Sequence, residues 1–214
     1  MPWHTVERSA LVDALREAGP RQPTLCEGWL TEHLAAHVAL RESSLVAAGA
    51  VVPPLAERAE AAIRALGDRS SSPANYAALV DRVAGGPPRH HPMRLAGDPV
   101  NLLELFVHTE DVRRGTTGRA TPPRARTDAH AEALWRQLRL MARLAYGRAG
   151  VGVVLSTPQG DARVARTTPR GDVTIRGALD DVVLHAFGRR SAADVELTGD
   201  PDAVAAVSGA AARP

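Results

Sequence analysis

The 214-residue chain has no lysine, a single cysteine and very few aromatic side chains. Each scarcity excludes something. With Cys26 alone, no internal disulfide can form, which suits a reducing compartment and leads us to expect a cytoplasmic protein. Aromatics make up 3% of the chain, so the core must be assembled from Leu, Val and Ala, a composition that leans towards helices. No run approaches the roughly 18 uninterrupted apolar residues of a membrane span. The first ten residues carry charge where a signal peptide needs an apolar stretch. Without lysine, every long cation is an arginine, as a GC-rich coding sequence would produce. The net charge is only +2, and the arginines are scattered among carboxylates. A nucleic-acid binder gathers them on one face, so neither nucleic acid nor a membrane is expected as a partner. His-Glu-x-x-His is absent, so nothing points to a metalloprotease.

Hydrophobic residues at 44% and charged residues at 23% make an ordinary globular balance. Apolar residues at helical spacing, ended by Gly19-Pro20, predict a helix over residues 5–18. A second helix is predicted from Thr31, read as its N-cap, to about Ala48. Pro53-Pro54 opens a third, to Leu66, and Pro73 a fourth, ending at Gly85-Gly86. Residues 87–97 read as a loop containing His90 and His91. Asp98, read as an N-cap, and Pro99 open a fifth helix that stops at Gly115. Thr127 opens a sixth, to about Tyr146. Beyond Gly147 the period changes. Strands are predicted over 151–157, 162–167, 172–176 and 195–198, with helices over 179–187 and 200–207, the last capped by Asp200. The expected architecture is α+β: a helical bundle over residues 1–147, then a small α/β domain over 148–214.

The fifth helix is the most informative segment. At about 100° per residue, Asn101, Glu104, His108 and Asp111 fall within an arc of about 80°, and most of the remaining circumference is Leu, Val and Phe. Glu104 and His108 stand at i and i+4, so their side chains meet. A carboxylate and an imidazole so placed can share one metal ion; alternatively, the stripe faces solvent. On the second helix His37 lies in an apolar run, either as a satisfied core histidine or as a third ligand facing the first two, as antiparallel bundle helices allow. Two His and one Glu leave a coordination position open, with Zn²⁺ the default occupant and other divalent metals compatible.

Neighbouring residues carry competing readings. Asp111 can orient a ligand histidine or pair with Arg114 at the surface. Arg41, one turn after His37 on the same face, can meet an anionic substrate or Asp111. Cys26 is read as a small buried side chain before a nucleophile or a fourth ligand. Trp29 is expected to pack the start of the second helix or to line a pocket mouth. His33, one turn before His37 on the same face, is read as exposed at the helix start before a further ligand. His4, His90, His91, His130 and His185 have no matched partners and are read as ordinary histidines.

Three segments in order, PTLCEGWLTEHLAAHVALRE (23–42), LLELFVHTEDVRRG (102–115) and ALDDVVLHAFGRR (178–190), resemble the actinobacterial DinB-like metal-binding proteins related to mycothiol-dependent maleylpyruvate isomerase. The resemblance covers nearly the whole chain. It implies an N-terminal DinB-like four-helix bundle followed by a small C-terminal α/β domain, with His37, Glu104 and His108 as zinc ligands. It also implies that Arg189, after the C-terminal helix, assists a small-molecule substrate; the alternative for Arg189 is a solvated helix end. The activity implied is that of an isomerase or S-transferase using a low-molecular-weight thiol, mycothiol. The thiolate would add to an electrophilic double bond, allow rotation and then leave. The competing reading is a non-catalytic, metal-dependent binding or stress protein. A monomer or homodimer is expected.

Overall fold

The computed structural model describes residues 2–43, 53–89, 91, 94, 97–115 and 117–208. They form eight α-helices and one four-stranded sheet: α1 Trp3–Ala18, α2 Thr31–Arg41, α3 Pro53–Arg69, α4 Pro73–Gly85, α5 Gly97–Arg113, α6 Asp128–Tyr146, β1 Gly152–Thr157, β2 Gly160–Ala165, β3 Asp172–Gly177, α7 Leu179–Ala186, β4 Val195–Gly199 and α8 Pro201–Ser208. The α+β class expected from the sequence is the class observed. None of the described helices is long and apolar enough to cross a membrane.

The chain divides into two compact units, Met1–Thr117 and Gly118–Pro214. Periodicity alone puts the division at 147/148, because helical spacing persists through α6. In the structure α6 packs on β2 and α7, and so counts with the sheet. What decides is the partner of its apolar face, which periodicity does not report.

In the first unit α1 lies against α4 and α5, and α2 against α3 and α4. Leu11, Leu15, Leu34, Val38, Val80 and Leu105 have no exposed surface and form the middle of its core. Each such side chain contributes roughly 1.5–3 kcal/mol through burial. α1 ends where Gly19 takes φ +73°, with Pro20 behind it. α2 and α3 approach so closely at Gly67 that a Cβ there would lie 2.4 Å from the His33 ring.

In the second unit the strand order is β2-β1-β3-β4, with β1 and β3 parallel and the outer pairs antiparallel. Val153 pairs with Val173 and Leu155 with Ile175, all buried. Val182 and Val183 of α7, and Leu134, Trp135 and Leu138 of α6, are buried in the same unit.

Several helix ends differ from expectation. Thr31 is the first helical residue of α2, not its cap. Its hydroxyl donates to the Gly19 carbonyl, and the Leu30 N–H goes to His33 Nδ1. That bond and a second, from His33 Nε2 to Asp68 at 3.0 Å, bury His33, which was expected to be exposed. Asp98 does not serve its own helix. It accepts from the Trp3 and His4 backbone N–H groups and from His4 Nδ1, capping α1 instead. Asp200 stands directly before α8 and its carbonyl accepts the Val204 N–H, while its side chain accepts from the Asp172 N–H. Thr127 and Ser72 do cap α6 and α4. The helical run of α2 stops at Arg41; the expected end near Ala48, and His90, lie outside the described residues.

Candidate metal centre

α5 buries Leu102, Leu103, Leu105, Phe106, Val107 and Val112, so its narrow polar stripe is drawn inward with them. There it meets His37 of α2. Glu104 Oε1 lies 3.3 Å from His37 Nε2 and 3.3 Å from His108 Nε2, with His108 buried and the other two half-buried. One ligand atom from each of the three lies within 4.8 Å of the others.

The 3.3 Å separations are informative. A charged N–H···O bond prefers about 2.7–2.9 Å. Two ligands each about 2.0–2.1 Å from a tetrahedral zinc stand about 3.3–3.4 Å apart. The donors are therefore spaced more like corners of one coordination sphere than like tight hydrogen-bond partners, and their chemistry fits a divalent cation.

The surrounding contacts fix how these groups point. His108 Nδ1 donates to Asp111 Oδ2 at 2.9 Å, which leaves Nε2 facing Glu104 and His37. Asp111 is fully buried and also accepts from the Cys26 thiol at 3.1 Å. Arg114 pairs with Glu110. The Leu25 N–H binds the Asp111 carbonyl, tying the loop before α2 to the end of α5. Gly115 makes that approach feasible: a Cβ there would sit 2.0 Å from the Pro23 carbonyl oxygen.

Arg41 turns to Glu104 rather than to Asp111. Its Nε lies 3.3 Å from Glu104 Oε1, while its terminal nitrogens donate to Asn101 Oδ1 and the Val100 carbonyl. Trp29 places its ring 5.1 Å from that of His37 and donates Nε1–H to Glu60. Cys26, His108 and Asp111 form a second, overlapping set of ligand types. In it the relevant His108 nitrogen is already committed to Asp111, so we favour the set containing His37.

Burial and close neighbours shift all three groups. Burial pushes the Glu104 carboxyl up, but hydrogen bonds from His108 and His37, then the charges of His108 and Arg41, hold it well below the usual carboxylate range. Burial pushes His108 down, and its bonds to Asp111, Cys26 and Glu104 outweigh this, raising it well above an ordinary histidine. His37 is lowered, chiefly by burial. His108 thus lies between two carboxylates, those of Glu104 and Asp111.

Arg189 belongs to the second unit. There it follows α7, donating from a terminal nitrogen to the Phe187 carbonyl and from its backbone N–H to the Leu184 carbonyl. His185, read as ordinary, is buried and shares a 2.7 Å hydrogen bond with the Tyr146 hydroxyl. Burial, then the Arg190 charge, lowers it to about 4. Of the contacts at the centre, Arg41 with Glu104 is foreshadowed by its i+4 spacing from His37. Nothing in the sequence pairs Cys26 with Asp111, which lie far apart along the chain and meet only through the fold.

No family model matches the chain, and no curated protein matches it. Among solved structures it is similar to the crystal structure of the mycothiol-dependent maleylpyruvate isomerase, with a TM-score of 0.52 and 19% identity, covering 92% of this chain and 90% of that one. At that identity the likeness is one of fold: a helical unit followed by a small mixed sheet.

Proposed function

We propose that the protein binds one divalent metal ion, zinc in the first instance, through His37, Glu104 and His108. On this reading it is a thiol-dependent isomerase or S-transferase acting on a small electrophile with mycothiol as the thiol. The observation that carries the metal reading is the placement of Glu104 Oε1 at 3.3 Å from both imidazole Nε2 atoms. The thiol reading is supported by the shared fold with a protein whose name states mycothiol dependence. A bound divalent ion would hold a thiol as its thiolate at neutral pH and keep a position open for it.

This chain's own residues would do the remaining work. Asp111 holds the His108 ring so that Nε2 faces the centre. Trp29 walls one side of His37. Arg41 keeps a positive charge beside Glu104, where it would receive an anionic part of the substrate. Arg189 is proposed as a residue that assists the substrate.

Metal content of the purified protein tests the first half. We expect one equivalent, lost in both His37→Ala and His108→Ala; retention in both would refute the site. Titrating mycothiol into the Co²⁺-loaded protein tests the second. A sulfur-to-metal charge-transfer band is expected, and no band at saturating thiol would leave a metal-dependent binding protein without thiol chemistry.

A further inference from the structure

The second unit carries a feature that the metal centre does not use. On α6, Arg136, Arg139, Leu140 and Arg143 stand at i, i+3, i+4 and i+7 and so share one face. Across from them, Ala162, Arg163 and Val164 of the edge strand β2 complete the lining of a half-open groove of about 300 Å³. Four of its seven lining residues are arginines, and none is acidic. Arg163 is already held by Asp172 and Thr167. Among the described residues Arg136, Arg139 and Arg143 form no ion pair, and the Arg139 Nε is buried without a hydrogen-bond partner while its guanidinium lies over the Trp135 ring. The chain's well-buried arginines are each met by a carboxylate: Arg8 by Glu42, Arg114 by Glu110 and Arg126 by Asp180; Arg139 is half-buried, and Arg136 and Arg143 are exposed.

Like charges three and four residues apart repel, and a buried donor left unsatisfied costs about 1–3 kcal/mol. A multiply charged anion in the groove would relieve both. Arginine forks match phosphate in particular, because two parallel N–H groups meet two of its oxygens. Leu140, which is 55% exposed, adds an apolar ledge within the same groove. The volume is that of a small-molecule site rather than of a macromolecular track.

We propose that this groove binds a small phosphate ester, with the phosphate held by Arg136, Arg139 and Arg143 and an apolar substituent resting on Leu140. The site is independent of the metal centre and of the thiol reading.

Binding of phenyl phosphate and methyl phosphate to the full chain, measured by isothermal titration calorimetry at fixed ionic strength, tests it. Saturable 1:1 binding is expected, tighter for the phenyl ester. Arg136→Gln and Arg139→Gln should each weaken it about tenfold or more. Arg148→Gln removes the same charge from an exposed position outside the groove and should leave it unchanged. Absence of saturable binding in the wild type would overturn the proposal. So would equal weakening by Arg148→Gln, which would mark general attraction to a basic surface. Unchanged binding in both groove variants, with circular dichroism showing them folded, would overturn it as well.

Discussion

At the scale of single residues, the candidate centre depends on how His108 is held. Asp111 fixes the ring by accepting Nδ1–H, and such partners of ligand histidines typically contribute 10–100-fold to metal affinity. Asp111→Asn keeps the shape but weakens that anchor. We therefore expect zinc affinity, measured by chelator competition, to fall by about that factor. Cys26→Ala, which removes a thiol donor to Asp111 while leaving the carboxylate in place, should cost less. His185 offers a second test, in the other unit. Its pKa drops from the ordinary 6.5 to about 4 on folding, so the unfolded chain takes up a proton first as pH falls. The stability it contributes as a neutral group is complete above pH 6.5 and is lost between 6.5 and about 4, up to roughly 3 kcal/mol. In urea unfolding, the penalty of His185→Asn relative to wild type should therefore shrink as pH is lowered through that window. A penalty independent of pH would contradict the assignment.

At the scale of elements, the centre is assembled where a loop meets a helix end. The segment before α2 can lie on the end of α5 only because Gly115 has no side chain. Gly115→Ala should lower stability by about 1–3 kcal/mol in chemical denaturation, because the obstacle is the Pro23 backbone rather than a mobile side chain. Gly85→Ala is the contrasting case. Gly85 is the last residue of α4, and a Cβ there meets nothing within 4 Å. It should gain up to about 1 kcal/mol from helix propensity. Element boundaries were largely legible from period and punctuation. The strands of the second unit, α4 and α6 fall within a few residues of their predicted spans. The caps were less so, because Asp98 had two helix starts within reach and served the distant one.

At the scale of the whole molecule, two units each carry their own core. A ligand that binds only the folded first unit should stabilise that unit alone. Zinc at 100 times its dissociation constant adds about 2.7 kcal/mol. Hydrogen exchange should therefore slow in the slowest amides of α1, α2 and α5 and stay unchanged in β1, β3 and α7. Equal slowing in both units would show that they unfold together.

The sequence by itself determined the α+β order of elements and put Glu104 and His108 side by side, because helical and strand periods and the i, i+4 relation are local properties of a chain. It nominated His37 but could not aim it, since an apolar run around a histidine suits a core residue as well as a ligand. Only the tertiary structure decided the rest: that α6 joins the sheet, that His37 and His108 share Glu104 Oε1, that Cys26 reaches Asp111 behind His108, and that Arg163 of β2 faces the arginine row of α6. The physical reason is the same for each. These contacts join residues remote in sequence, and which of several compatible faces is buried against which depends on the packing of the whole core.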